Sequence, residues 1–124
     1  MSQAALAAPI QNPVAALFNL DDPNDRRTLG AIQTFYAPDG RDRLHALRRG
    51  TVKGPSGPVR MVWMLNSFHP VRRGAPAEWS VIYWYIDEIA ARFQACRDES
   101  SARAVYKTAT HPDAKWPGVK FEKR

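Results

Sequence analysis

Six cations lie between positions 48 and 73: Arg48, Arg49, Lys53, Arg60, Arg72 and Arg73. Guanidinium and ammonium groups gathered on one surface neutralise successive phosphates, which makes this set a candidate nucleic-acid contact. Contacts of that kind fix position along a backbone without reading bases, so little sequence preference is expected. Trp63, Phe68 and Trp116 would add stacking surfaces for unpaired bases. The spacing matches no zinc finger, helix-turn-helix or aromatic sheet signature. The structural alternative places Trp63 in the core and Trp116 under the tail. It leaves the arginines on solvated loops, with Arg48 and Arg49 complementing the dipole at the end of a helix.

The remaining reactive residue types are sparse. His45, His69 and His111 fall in three separate segments, and no pair has the short spacing of a zinc site, so neither metal nor cofactor is expected. Cys96 is the only cysteine, which excludes an internal disulfide and fits a reducing, cytoplasmic setting. On an apolar stripe it is a small hydrophobe with a raised pKa rather than a nucleophile. Asp87 and Glu88 are adjacent, so on a helix they diverge by about 100° and make no facing acid–base pair. Glu88 pairs instead with Arg92 at i,i+4. No phosphate-binding glycine loop, nucleophile elbow or paired catalytic motif is present. A pocket enzyme would depend on His69 or Asp87, and a non-enzymatic module is the favoured class.

A second class of function rests on aromatic residues. Four tryptophans and four tyrosines are more than one core of this size readily hides. Tyr83, Trp84, Tyr85 and Trp116, rimmed by arginine, would then form a protein-docking patch, as in an adaptor, an assembly subunit or a phage-type inhibitor. A homodimer contact is the bland version of the same surface.

Size and composition bound these options. A chain of 124 residues, 44% hydrophobic and 24% charged, is one ordinary globular domain that needs no disulfide or metal to hold it. The net charge of +6, from 18 basic and 12 acidic residues, favours polyanionic partners. No apolar run approaches the roughly 20 residues of a membrane-crossing helix. Residues 1–12 read as a loose arm without the basic start of an export signal, and 13–124 as a single domain.

The elements that must position these residues follow from caps and periodicity. Asn12 and Pro13 start a short helix over 13–20, with Leu17, Phe18 and Leu20 available to pin the arm. Asp22 caps and Pro23 opens a helix to about Tyr36, whose apolar arc is Leu29, Ile32, Phe35 and Tyr36. Leu44 and Leu47, three apart and followed by Gly50, predict a helix over 41–49, with a strand as the alternative. Residues 51–68 form a hairpin about the turn at 54–58. Its second strand sets Val59, Met61, Trp63 and Leu65 opposite Arg60, Val62, Met64 and Asn66, as a central strand covered on both sides does.

Trp79, Ile82, Ile86, Ile89, Phe93 and Cys96 recur at helical spacing and predict a long helix from 77 to about 98. The β-branched and aromatic content of 80–85 also suits a strand, with Val81, Tyr83 and Tyr85 opposite Ile82, Trp84 and Ile86. At Glu99 the chain either breaks to a new N-cap or continues, with Ala102, Val105, Tyr106 and Ala109 as the apolar face. Val119 and Phe121 flanking Lys120 suit a short edge strand. The expected fold is therefore α+β, a small antiparallel sheet packed against a long central helix and three to four shorter ones.

Overall fold

The stretch predicted as the long central helix is a β-hairpin. In the computed structural model, which describes residues 14–36 and 41–111, it divides into β3 (Glu78–Tyr85) and β4 (Ala90–Cys96), joined by a turn at Ile86–Ile89. Val81, Tyr83 and Tyr85 belong to one buried cluster, and Ile82, Trp84 and Ile86 to another. The period is two, but both faces are covered, so no polar residue marks the alternation. The helical stripe was a coincidence split between the two faces: Ile82 and Ile86 point one way, Trp79 and Cys96 the other.

The helix predicted over 41–49 is likewise a strand, β1 (Asp42–Gly54), paired antiparallel with β2 (Gly57–Phe68). A register shift between Leu44 and Ala46 inserts one extra residue. That bulge turns Leu44 and Leu47, three apart, to the same face, where a regular strand would separate them. The i,i+3 spacing that imitates a helix is the signature of the bulge.

The four strands form one antiparallel sheet in the order β1-β2-β3-β4. One helix packs on each face. Helix α1 (Pro23–Tyr36) has the predicted bounds, with Asp22 Oδ1 accepting from the backbone N–H of Asn24 at 2.9 Å and of Asp25 at 3.3 Å. Its Leu29, Ile32 and Tyr36 meet Val62, Met64, Ile82 and Trp84. Helix α2 (Glu99–Ala109) starts at an Asp98 N-cap, which accepts from the Ser101 N–H at 2.8 Å. Its Ala102, Val105, Tyr106 and Ala109 cover Trp63, Leu65, Val81 and Tyr83. Burying a large apolar side chain contributes about 1.5–3 kcal/mol, and two covered faces give β2 and β3 most of that stabilisation.

Among the described residues there are thus two helices on a four-stranded sheet, and no long central helix with three to four shorter ones. No described helix is long and apolar enough to cross a membrane. Of the short helix expected over 13–20, the described part is a helical turn at its start, with Val14 and Phe18 buried and Leu20 exposed. The predicted arm 1–12, Trp116 and the predicted tail strand lie outside the described residues.

Candidate functional site

Strand register decides what each of the six predicted cations can touch. Arg49 stands opposite Val62, on the α1 face, and is not free. Its Nη1 donates to Asp25 Oδ2 at 2.9 Å and to the Leu17 carbonyl at 3.0 Å, and its Nη2 to Asp25 Oδ1 at 3.2 Å. Asp25 is 1% exposed and also accepts the Asn19 backbone N–H at 2.8 Å. A buried carboxylate requires such partners, and the bidentate fork of an arginine supplies two of them.

Arg60 is engaged by three aspartates. Its Nη1 reaches Asp22 Oδ2 at 3.0 Å and Asp25 Oδ1 at 3.5 Å, its Nε donates to Asp87 Oδ2 at 2.9 Å, and its Nη2 donates to Asp87 Oδ1. The hydrogen bonds it donates to Asp87 and then to Asp22 raise the pKa of Arg60 above its ordinary value. The Arg60 guanidinium holds Asp87 down to about 2, against an opposing effect of burial, and holds Asp22 below its ordinary value. Arg49, Arg60, Asp22, Asp25 and Asp87 therefore form one ionic node at the start of α1. Phosphate contact is not available to either arginine without breaking it.

The four other cations do not form a single patch. Lys53 pairs with Pro58 beside the β1–β2 turn, whereas Arg72 and Arg73 follow Phe68 at the far end of β2. Ten strand residues at about 3.4 Å each separate those ends by roughly 35 Å. Arg48 stands opposite Trp63, on the α2 face, beside Tyr106. Arg48, Lys53, Arg72 and Arg73 are exposed and make no ion pair with a described carboxylate. Arg43, which the sequence did not single out, is also exposed on the α2 face of β1, opposite Ser67. Arg43, Arg48, Arg72 and Arg73 thus follow one edge and one end of the sheet.

Compared with family models, with curated proteins and with solved structures, the chain matches none. Function has to be argued from the geometry.

The described part of the predicted aromatic patch is buried. Tyr83, Trp84 and Tyr85 are 1%, 7% and 1% exposed, because alternate residues of a strand enter opposite cores. Tyr83 Oη donates to Gln94 Oε1 at 2.6 Å and Trp84 Nε1 to Met64 Sδ at 2.8 Å. Burial raises the Tyr83 phenol and pushes Tyr85 up to about 12. Trp63 is also buried and offers no face to a base, while Phe68 is half-buried.

One constellation escaped the sequence reading. The hydroxyl of Ser67, itself wholly buried, lies 2.7 Å from His45 Nε2 and 3.0 Å from His69 Nε2. The bulge in β1 lets His45 reach Ser67 and also lie over Trp79, with ring centroids 4.5 Å apart. Burial, and next Arg103, push the His45 ring below its ordinary 6.5. A hydroxyl can donate to one ring and accept from the other, so the trio is a closed polar link. Ser67 has no exposure to a substrate, and no group of three or more His, Cys, Asp or Glu residues suited to a metal occurs among the described residues. The trio's work is positional: with the His69 N–H on the Arg41 carbonyl at 2.7 Å, it fixes the start of the loop that carries Arg72 and Arg73. Cys96 is half-buried with its thiol pKa raised by burial, as expected of an inert sulfur.

Proposed function

We propose that the protein is a non-enzymatic, cytoplasmic module that binds nucleic acid through its phosphates, using Arg43 and Arg48 on the edge strand β1 together with Arg72 and Arg73. The observation that carries this reading is the division among the basic residues. Arg49 and Arg60 are consumed by the ionic node, whereas these four are exposed and unopposed by any described carboxylate. Arg43 and Arg48 share a face, being opposite Ser67 and Trp63, four residues and about 14 Å apart along β2. With Trp63, Tyr83, Trp84 and Tyr85 buried, base stacking by those rings contributes little, so duplex and single strand should bind with similar and weak sequence preference.

Titration of labelled single- and double-stranded DNA and RNA against salt tests this. Four phosphate contacts give a log–log slope of about −3.6 on duplex DNA, and replacing both Arg43 and Arg48 by Gln should reduce its magnitude by about 1.8. Binding indifferent to salt, or none at low salt, removes the proposal.

A further inference from the structure

The outer strand β4 has a sequence that reads almost the same in both directions about Phe93. Ala90 and Ala91 precede Arg92, and Ala95 and Cys96 follow Gln94. Its backbone has the matching symmetry. The Ile86 N–H donates across to the Arg60 carbonyl at 3.0 Å, and this sets the alternation of the ladder. Tyr85, Tyr83 and Val81 then turn their amide groups to β4, where they pair with Ala90, Arg92 and Gln94. The N–H and C=O groups of Ala91, Phe93 and Ala95 point outward, and among the described strands none lies beyond β4 to receive them.

The side chains above that edge are small or apolar and exposed. Ala91 and Ala95 face solvent, and Phe93 is 52% exposed although it leans on Phe35 at 5.4 Å between ring centroids. On the other face Arg92 has its Nη1 buried without a hydrogen-bond partner among the described residues, while Gln94 accepts from Tyr83. A long charged residue with a buried nitrogen that no described residue satisfies is an arrangement awaiting a partner.

We propose that β4 is a self-association strand, on which the β4 of a second copy pairs antiparallel across a two-fold axis at Phe93. In that register Phe93 faces Phe93 of the second copy, and each exchanges N–H and C=O with the other. Ala91 faces Ala95 in the same way on either side, so every outward group of the three residues is satisfied. Arg92 comes opposite Gln94, whose amide oxygen has a second lone pair for the unpaired nitrogen. Each Phe93 then sits between its own Phe35 and its counterpart, forming a row of four aromatic rings. A one-residue slip would put Phe93 against a polar neighbour and lose the self-matching, so the register is specified. A second copy is the fitting occupant because the strand complements itself. The buried area is that of a single strand pair, so association is concentration-dependent rather than obligate.

The test is sedimentation of the full chain over a roughly hundredfold concentration range, with amide exchange measured at each end. A monomer–dimer equilibrium is expected, with protection of the Ala91, Phe93 and Ala95 amides that grows with concentration. Phe93→Lys, which sets two like charges on the axis, and Ala95→Pro, which removes an outward N–H, should each shift dissociation at least tenfold toward monomer with the circular dichroism spectrum unchanged. A monomer at every concentration overturns the proposal, as does a dimer indifferent to both folded variants. Concentration-independent protection of the three amides in a monomer assigns the edge to another segment of this chain instead, and equally overturns it.

Discussion

The two outer strands of the sheet solve the problem of an open edge differently. β1 is 13 residues long, yet it is defended: a bulge breaks its ladder, and Arg43, Arg48 and Lys53 are exposed along it. β4 is seven residues long, regular throughout, and carries Ala91, Phe93 and Ala95 outward with no charge on the α1 face. Charge and irregularity keep β1 from pairing with other strands, and its cations are the ones proposed to meet a polyanion. Regularity and small side chains leave β4 open to a strand of its own kind. The two proposals thus assign different classes of partner to equivalent positions in one sheet, separated by side-chain chemistry and by the bulge.

The anchors beneath the two edges differ as well, and the largest effect expected comes from β1. Arg49→Ala leaves the buried Asp25 carboxylate without its bidentate partner and should cost about 3 kcal/mol in urea denaturation. Phe93→Ala removes a half-exposed ring from Phe35 and should cost only about 1 kcal/mol, so a loss equal to that of Arg49→Ala would abolish the contrast. The turns offer a smaller test of the same asymmetry. The β1–β2 turn has Gly57 at a φ of 123°, which suits glycine, whereas the β3–β4 turn forces the β-branched Ile89 to a φ of 49°. Ile89→Gly relieves that strain, loses some apolar contact, and should raise stability by about 0.5 kcal/mol, measured by thermal unfolding.

Protonation discriminates the edges most gently. The His45 pKa is lower in the folded chain than in the unfolded one, so near and below 6.5 the unfolded state binds more protons. Its contribution is complete above 6.5 and declines as pH falls toward the folded value. Stability should dip over that interval, and His45→Gln should flatten the dip. Asp87 contributes fully above its ordinary 3.8 and loses its contribution as pH falls from there toward about 2, so Asp87→Asn should weaken acid sensitivity in that lower window.

Sequence made some of this fold legible. Asp22 and Pro23 announce α1, the alternation of Val59–Asn66 announces a central β2, and Ala102, Val105 and Tyr106 mark the apolar face of α2, although its cap is Asp98, which the sequence placed at the end of the long helix. Hydrophobic period misled at two places for distinct reasons. In β1 the bulge gave Leu44 and Leu47 a helical spacing; in β3 burial of both faces erased the polar half of the pattern. The candidate site was harder to see because its meaning lies in partners remote in sequence. Nothing near Arg60 indicates that Asp22 and Asp87 would claim it, and nothing near His45 points to Ser67 and His69.

The node around Arg60 also has a consequence for how the molecule comes apart. It joins α1, β1, β2 and the β3–β4 turn through bonds spanning 24, 27 and 38 residues of chain. No pair of neighbouring elements can assemble it alone, so its energy is gained only when all four have docked. Loss of any one of these four releases the others, and the chain should melt in a single cooperative step.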